Sequence, residues 1–407
     1  MYKSLLFAFL LAAAAEPIRE SSPLAALWTT PCILLASLFI AWAAESSQFF
    51  VAQGFALAIL AWLQTLPEFA VEAVLAWHRQ VAFLLANLTG ALRLLTGLGW
   101  PMIYASAAFF NRRATGRPLR RIELHGQHSV QVVGLLLPLL YAAIIWLKAS
   151  LHLYDAIILI AIYAAYLLLL SKMPPQEAEG IEDLERIPRA IVLSPPARRK
   201  ALIATLFIAG GGLIYFTATP FLSSLMALAV AAGVPAFVFI QWMAPFVSEF
   251  PEMASTFYWA RTVTGAPMAL MNMVSSNINQ WTLLVAMLPI VFSMSNGAVS
   301  AIPLDGQQEL ELLMTIGQAL AGMLFLVNMV LTWWEAAVLF ALWAIQFAFS
   351  AAGSNFAIAG LSIHWLITIV YFVWAAVEIL RIVLSQRKPA AFVEFAKMWR
   401  EYVMPRG

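Results

Sequence analysis

Two Pro-Glu pairs, Pro67-Glu68 and Pro251-Glu252, are the residues of this chain whose types and positions are best suited to chemistry. Each pair lies inside a long apolar run, where an ionised carboxylate costs roughly 2.5–3.5 kcal/mol at the centre of a membrane span. Each proline also frees a backbone carbonyl one turn earlier, which is tolerated where that carbonyl lines a buried or wet cavity. The recurrence of this pattern in both halves indicates a transporter with a central cation site.

Oxygen-bearing side chains accompany both glutamates. Gln64 and Ser248 lie four residues before the glutamate of their own run, so on a helix each shares its face. Asn87 and Asn272 follow in the next apolar run of each half. Carboxylate, amide, hydroxyl and freed carbonyl oxygens are together the ligands of a hard cation such as Ca²⁺, which takes roughly 6–8 oxygens.

Composition assigns the chain to the membrane. Of its 407 residues 63% are apolar and 11% are charged, whereas a soluble globular chain carries about 25% charged residues. We therefore expect a helical protein with many spans. Its one cysteine, Cys32, excludes an internal disulfide and a cluster of thiolate ligands.

The two halves of the chain repeat each other. Glu68 and Glu252 lie 184 positions apart (252 − 68), and Asn87 and Asn272 lie 185 apart (272 − 87). Two more landmarks recur 180 positions later, residues 122–127 at 302–307 and residues 154–156 at 334–336. Each half contains five apolar runs, and an odd number of helices inserts the second copy upside down. We predict an all-α integral membrane protein with two inverted five-helix repeats.

The predicted segments follow from these repeats. They are residues 1–16 (signal peptide or extra N-terminal helix), 24–171 (first repeat), 172–200 (cytoplasmic linker), 201–350 (second repeat), 351–386 (additional transmembrane helix) and 387–407 (basic cytoplasmic tail). Residues 1–16 carry a lysine, a short apolar run and small residues, which suit a cleaved signal and a retained helix equally. Residues 219–230 are predicted as a turn or a partial helix. Residues 390–403 are predicted as a solvated tail, with a basic amphipathic helix on the membrane surface as the alternative.

Basic residues indicate which side of the membrane is cytoplasmic. When spans are counted, the Lys and Arg clusters of residues 112–121, of the linker and of the C-terminal tail fall on one side. The loop 296–311 falls on the other side and has three acidic and no basic residues. The positive-inside rule therefore predicts a multi-pass protein of the plasma (inner) membrane, with the linker and the C-terminus in the cytoplasm.

The motifs resemble the two alpha-repeats of the cation/calcium antiporter superfamily, the sodium/calcium exchangers and their relatives. That family carries Gly-Thr/Ser-Ser-x-Pro-Glu in one helix and Asn-x-x-Gly-Ser-Asn in the next, once per half. Residues 63–68 and 87–90 stand at these motifs in the first half, and residues 247–252 and 272–279 in the second. The resemblance implies that Glu68 and Glu252 are the central acidic ligands, surrounded by Thr65, Ser248, Asn87, Asn272, Ser276 and Asn277.

Several residues depart from the family pattern. Leu63 and Val247 replace its glycine, and Glu249 stands where a serine is expected. We include Glu249 among the candidate ligands, with a position against the lipid headgroups as the alternative. In the first half Ala91-Leu92 replaces Ser-Asn, and Arg93 follows. Arg93 either neutralises a site glutamate or faces another side of its helix.

The sequence thus predicts an antiporter whose paired glutamates bind calcium, or a related cation, in exchange for sodium or protons. Removal from water disfavours the charged form of a carboxyl group, so protons are as available a counter-ion as sodium. The alternative function is a non-transporting scaffold or sensor with a decayed site, which predicts Arg93 clamped between Glu68 and Glu252. The expected partners are inorganic cations and the lipid bilayer. We expect no nucleic acid, no cofactor and no enzymatic activity, and the oligomeric state stays open.

Other polar residues carry weaker signals. Glu72 lies one turn after the first Pro-Glu pair and is a candidate for the ion path. Glu378 and Arg381 are three residues apart, a spacing that predicts a local ion pair. His125 and His128 lie beside several arginines without an acidic partner, which disfavours a zinc site.

Overall fold

The computed structural model describes residues 22–50, 62–173, 181, 184–350, 357–358 and 361–404. Within these ranges nine helices are long and apolar enough to cross a membrane. The most apolar stretches of Val81–Thr115 and Gly306–Leu326 are 78% buried, whereas those of Pro196–Ala232 and Ile363–Val383 are 28% buried. The first two spans therefore form the interior of the protein, and the other two face the lipid.

The first repeat consists of helices and two short strands. In chain order they are α1 (Ala26–Ser47), α2 (Leu66–Trp77), α3 (Val81–Leu94), α4 (Trp100–Thr115), β1 (Arg121–Glu123), α5 (Ser129–Gly134), α6 (Leu136–Lys148), β2 (Ser150–Leu151) and α7 (Leu153–Lys172). A π-helical turn, Leu95–Gly99, joins α3 to α4 within one span. Residues 51–61, which lie between α1 and α2, are outside the described residues.

The second repeat follows a short linker helix, α8 (Arg186–Val192). Its elements are α9 (Pro196–Ala232), α10 (Ala236–Ser248), α11 (Phe250–Trp259), α12 (Ala266–Asn279), α13 (Val285–Asn296), β3 (Ile302–Pro303), α14 (Gly306–Leu326), β4 (Val330–Thr332) and α15 (Trp333–Ser350). A π-helical turn, Gln280–Leu284, joins α12 to α13. The chain continues through β5 (Ala357–Ile358), β6 (Leu361–Ser362), α16 (Ile363–Val383) and α17 (Ala390–Met398).

A break in the helix occurs at matching positions of the two repeats. Thr65 precedes α2 and Glu249 separates α10 from α11, with backbone angles of φ −82°, ψ −2° and φ −86°, ψ −8°. A proline follows two residues after each break, and proline starts a helix readily but removes a backbone hydrogen bond to the preceding turn. Each break thereby places a glutamate, Glu68 or Glu252, in the first turn of a helix, where the helix dipole favours negative charge.

Two small antiparallel sheets relate the repeats to each other. β1 pairs with β4 through Ile122 opposite Leu331, and β2 pairs with β3 through Leu151 opposite Ile302. Ile122 and Ile302 hold matching positions in the two repeats, as do Leu151 and Leu331. Exchanging the repeats therefore converts one sheet into the other. The prediction of an all-helical membrane protein with two inverted repeats is confirmed.

Several boundaries differ from the predicted ones. α9 continues from Pro196 to Ala232, so it includes residues 219–230 and begins inside the predicted linker. Proline at its first position starts this helix, and Gly233, with φ of 67°, ends it. The C-terminal segment is helical and packs on the body, because the Ala391 N–H donates to the Val327 carbonyl oxygen at 2.8 Å. Within this helix Ala391 alone is buried, so its exposure to solvent or to the membrane surface stays a prediction. Residues 1–16 lie outside the described residues.

Gly90 in α3 lies against α10 at a distance that leaves no room for a side chain. A Cβ atom there would overlap the carbonyl oxygen of Gln241. We expect Gly90→Ala to lower the free energy of unfolding by about 1–3 kcal/mol, because the two helix backbones must separate. The measurement is the thermal unfolding midpoint of the protein in detergent.

The control for this prediction is Gly212→Ala, whose Cβ meets no atom within 4 Å. Because alanine favours a helix more than glycine, we expect this variant to unfold at or above the wild-type midpoint. Equal midpoints for the two variants would contradict the close contact between α3 and α10.

Candidate functional site

Three carboxyl groups meet at the two helix breaks. Glu68 and Glu252 lie in the first turns of α2 and α11, and Glu249 is the break residue between α10 and α11. Glu249 interacts electrostatically with both Glu68 and Glu252, so the three carboxyl groups form a row. All three residues are buried, with at most 2% of their surface exposed. The predicted placement of Glu249 at the site, rather than at the headgroups, agrees with this geometry.

Three bare carboxylates would be unfavourable in this row. Neighbouring negative charges repel each other, and removal from water disfavours the charged form of each carboxyl group. Within the described ranges, no Lys, Arg or His side chain forms an ion pair with any of the three. An unpaired carboxylate removed from water costs several kcal/mol. The row is therefore suited to hold either protons or a cation.

Gln280 bridges two members of the row. Its Nε2 donates to Glu68 Oε2 and to Glu249 Oε1, each at 2.7 Å. Ser276, one helical turn earlier, donates from Oγ to Glu252 Oε2 at 2.8 Å. Gln280 begins the π-helical turn after α12, and such turns are frequent at functional sites. α12 and this turn thus hold the carboxyl groups of both repeats.

Amide side chains extend the network towards the first repeat. Asn279 Nδ2 donates to Thr65 Oγ1, and Asn272 Nδ2 donates to Gln64 Oε1 at 3.1 Å. Both bonds join α12 to the residues that precede α2. The break in the first repeat is therefore fixed by side chains of the second.

A fourth carboxyl group, Glu72, lies one turn beyond Glu68 in α2. It is fully buried, and its Oε1 accepts a hydrogen bond from Asn87 Nδ2 at 2.9 Å. Asn87 thus contacts Glu72 rather than the central glutamate of its repeat. The geometry places Glu72 in the same buried network as the candidate ligands.

Several buried oxygen atoms of this network accept no hydrogen bond from an amide, hydroxyl or backbone N–H of the described residues. They are Glu68 Oε1, Glu72 Oε2, Asn87 Oδ1, Glu252 Oε1, Asn272 Oδ1, Asn277 Oδ1, Asn279 Oδ1 and Gln280 Oε1. Buried polar atoms are normally paired, and carboxylate and amide oxygens are the ligands that hard cations prefer. In the described part of the chain, no three His, Cys, Asp or Glu side chains are arranged as a metal centre. The unpaired amide oxygens lie in the same network as the carboxyl groups.

Two predicted site residues make less direct contacts. Ser248 Oγ donates to the Ala244 carbonyl oxygen of its own helix at 3.2 Å. Asn277 is fully buried, and its amide has no hydrogen-bond partner among residues 22–404 that the structure describes. Neither contact identifies a ligand, so the roles of these and the other candidate ligands stay predictions.

Arg93 does not lie between the site glutamates. Its Nη1 pairs with Glu311 Oε2 at 2.6 Å, and its Nε donates to the Thr89 carbonyl oxygen at 2.9 Å. The guanidinium also lies over the ring of Trp242, 5.5 Å from its centre. Six residues past Asn87, Arg93 points about 240° around the helix from it. The arrangement predicted by the scaffold alternative, with Arg93 clamped by both glutamates, is wrong.

Gln280 is not among the residues predicted for the site from the sequence. Asn272, Ser276 and Gln280 are spaced four residues apart, so they form one polar stripe along α12, and this spacing is visible in the sequence. The family motif ends before Gln280, which explains the omission. The matching positions of the first repeat, 185 residues earlier, are Asn87, Ala91 and Leu95, so the stripe is reduced there to one residue.

Comparison with known proteins identifies the family of this chain. The family described as sodium/calcium exchanger protein matches residues 21–172 and 202–352, which cover both repeats. This chain belongs to the sodium/calcium exchanger family. The predicted resemblance to the cation/calcium antiporter superfamily is therefore confirmed, and the protein is a multi-pass membrane protein of an ion-exchanger family.

Solved exchangers share the fold. The crystal structure of the H⁺/Ca²⁺ exchanger CAX is 29% identical, with a TM-score of 0.84, and the match covers 99% of this chain and 97% of that one. The sodium-calcium exchanger NCX_Mj is 18% identical, with a TM-score of 0.53 over 86% of this chain and 99% of that one. YfkE is 13% identical, with a TM-score of 0.57 over 85% and 99%. The last two show the fold alone, and a comparison with curated proteins finds no match.

Gln280→Leu gives the second repeat the residue type that the first repeat has at Leu95. We expect this variant to weaken Ca²⁺ binding by about tenfold, because Glu68 and Glu249 lose their shared donor and the site loses an amide oxygen. The measurement is isothermal titration calorimetry with Ca²⁺ on the purified protein.

The control is Gln131→Leu, which removes another buried glutamine, one whose amide has no hydrogen-bond partner among the described residues. We expect wild-type affinity for this variant. Unchanged affinity in Gln280→Leu would show that the bridge does not support ion binding.

Proposed function

We propose that this protein is a membrane antiporter that exchanges Ca²⁺, or a related divalent cation, for protons. The observation that carries the proposal is the row of Glu68, Glu249 and Glu252, three buried and adjacent carboxyl groups without an ion-pair partner among the described residues. Their mutual repulsion and their removal from water favour protons on the row when no cation is bound. A cation binds deprotonated oxygens, so its arrival releases those protons. Because the same oxygens bind either the protons or the cation, the two cannot be bound together. Antiport requires this mutual exclusion.

The family and one solved relative support this proposal. The chain is 29% identical over nearly its whole length to a protein described as an H⁺/Ca²⁺ exchanger. The departures of this chain from the family motif do not remove the carboxyl groups, and Glu249 adds one. We therefore assign the counter-ion as the proton and leave sodium as an outcome of the test.

Alternating access is the mechanism that the architecture supports. Glu68 belongs to the first repeat, whereas Glu252 and Gln280 belong to the second, so the site lies where the repeats meet. In inverted-repeat transporters, movement of one repeat against the other opens such a site to each side in turn. Hydrogen bonds across the repeats, such as that from Asn272 to Gln64, must change during this movement.

We assign the basic side of the protein to the cytoplasm. The exposed arginines between α4 and β1, the linker helix α8 and the C-terminal segment lie on the side that the positive-inside rule makes cytoplasmic. The loop between α13 and α14, whose one charged residue is Asp305, then lies outside. We propose location in the plasma (inner) membrane, with no enzymatic step and no cofactor.

Transport of radiolabelled Ca²⁺ into proteoliposomes tests the proposal. An outward proton gradient is expected to drive uptake at a fixed membrane potential, and an outward sodium gradient is not. Glu68→Gln and Glu252→Gln should each reduce proton-driven uptake by about tenfold or more, because each removes an oxygen ligand that can become charged. Glu309→Gln changes a half-buried acid in the first turn of α14, outside the row, and should leave uptake unchanged.

The outcomes of this experiment are distinguishable. Uptake driven by sodium alone would overturn the proton assignment and retain the antiport mechanism. Folded protein without uptake under either gradient would overturn the transport function and favour the scaffold alternative. Full Ca²⁺ uptake by both Glu68→Gln and Glu252→Gln would show that transport does not depend on these two glutamates.

The affinity for Ca²⁺ should increase with pH. Protons and the cation compete for the same carboxyl groups, so each proton displaced per Ca²⁺ strengthens binding about tenfold for each pH unit. Ca²⁺ titrations between about pH 6 and 8 give this slope. Glu249→Gln should reduce the slope, because the central group of the row no longer takes part in proton release, whereas an affinity independent of pH in the wild type would contradict competition.

A further inference from the structure

The connection between the fourth and fifth spans has the same backbone in both repeats. In the first repeat α6 ends at Lys148, and Ala149 has a left-handed conformation with φ of 50°. In the second, Asn328 and Met329 stand 180 positions later, and Met329 has φ of 62°. A short strand and the next helix follow in each case. The two connections can therefore be compared residue by residue.

Both connections bury an acidic side chain in the first turn of the next helix. Asp155 accepts a hydrogen bond from the His152 backbone N–H at 2.7 Å, and Glu335 accepts one from the Thr332 backbone N–H at 2.8 Å. The two acids are 0% and 1% exposed. A carboxylate so far removed from water needs a cation beside it.

The two repeats obtain this cation from different places. Lys148 Nζ lies 2.6 and 2.7 Å from the two carboxylate oxygens of Asp155. The matching residue of the second repeat is Asn328, which carries no charge. Arg387, from the segment after α16, lies there instead, with Nη2 2.6 Å from Glu335 Oε1 and 3.2 Å from Asn328 Oδ1.

Arg387 also joins three helices to one another. Its Nη2 donates to the Phe325 carbonyl oxygen at the end of α14 at 2.6 Å, and its Nη1 pairs with Glu378 Oε2 in α16 at 2.7 Å. Glu335, on the third helix, lies in the first turn of α15. Glu378 also pairs with Arg381 at 2.8 Å, as the spacing of these residues predicts. Only 6% of Arg387 is exposed, so this residue is not part of a solvated basic tail.

We propose that Arg387 is a positioning residue that completes the second repeat. The C-terminal segment supplies the counter-charge for Glu335 that the first repeat carries within itself at Lys148. The additional helix α16 and the segment after it are therefore parts of the exchanger body, and they hold the connection between α14 and α15 in place. This role does not depend on which ion the protein carries.

A charge-transfer variant tests the proposal on the full-length protein. Arg387→Gln should lower the thermal unfolding midpoint in detergent by roughly 5 °C or more, because Glu335 is left without its cation. Adding Asn328→Lys to Arg387→Gln should recover at least half of that loss, since the new ammonium group stands where Lys148 stands in the first repeat. Arg381→Gln removes a guanidinium that is 39% exposed and should change the midpoint little.

Each result supports or overturns the proposal. A double variant no more stable than Arg387→Gln overturns it, as does equal destabilisation by Arg381→Gln and Arg387→Gln. If Arg387→Gln yields no folded protein, the folded yield of the double variant decides: recovery supports the proposal, and no recovery overturns it. Asn328→Lys alone should not stabilise the protein, because Arg387 already occupies the position. Since the measurement is unfolding, failure of the transport proposal leaves this result unaffected.

Discussion

A carboxylate removed from water must be neutralised, and this requirement decides where the charged groups of this protein lie. Glu311, Asp155 and Glu335 each have a permanent cation, from Arg93, Lys148 and Arg387. The carboxyl groups at the helix breaks have no such partner among the described residues. Permanent pairs cannot exchange their cation for an ion from solution, whereas the unpaired row can. The separation of these two kinds of acid is what distinguishes the framework of the protein from its site.

The site is asymmetric although the fold is nearly symmetric. Both repeats have the same break and the same π-helical turn, but the polar stripe along α12 has only Asn87 as its equivalent in α3. Glu249 likewise has Thr65 as its equivalent. The duplicated backbone therefore encloses one shared site rather than two equal ones. Most of its hydrogen-bond donors come from the second repeat, and they reach across to carboxyl and hydroxyl groups of the first.

The fold and the central acids could be predicted from the sequence because both depend on local patterns. The lengths of the apolar runs, the two Pro-Glu pairs and the spacing between the repeats can all be read directly from the sequence. The partner of Arg93 could not be predicted, since Glu311 lies 218 residues away (311 − 93) in another span and only helix packing brings them together. The position of Gln280 on a polar stripe is visible in the sequence, but its bonds to Glu68 and Glu249 depend on how the helices pack. Periodicity gives the face of a helix but not the neighbour that the face meets.

The two small sheets have a consequence for synthesis of the chain. Each sheet takes one strand from each repeat, so Leu151 meets its partner Ile302 only after 151 further residues (302 − 151) have been made. At about 5–20 residues per second, roughly 8–30 s pass while the edge of β2 stays open at the membrane surface. The first repeat therefore leaves the ribosome with β2 still lacking its partner strand. Its assembly ends only when the inverted copy has been inserted beside it.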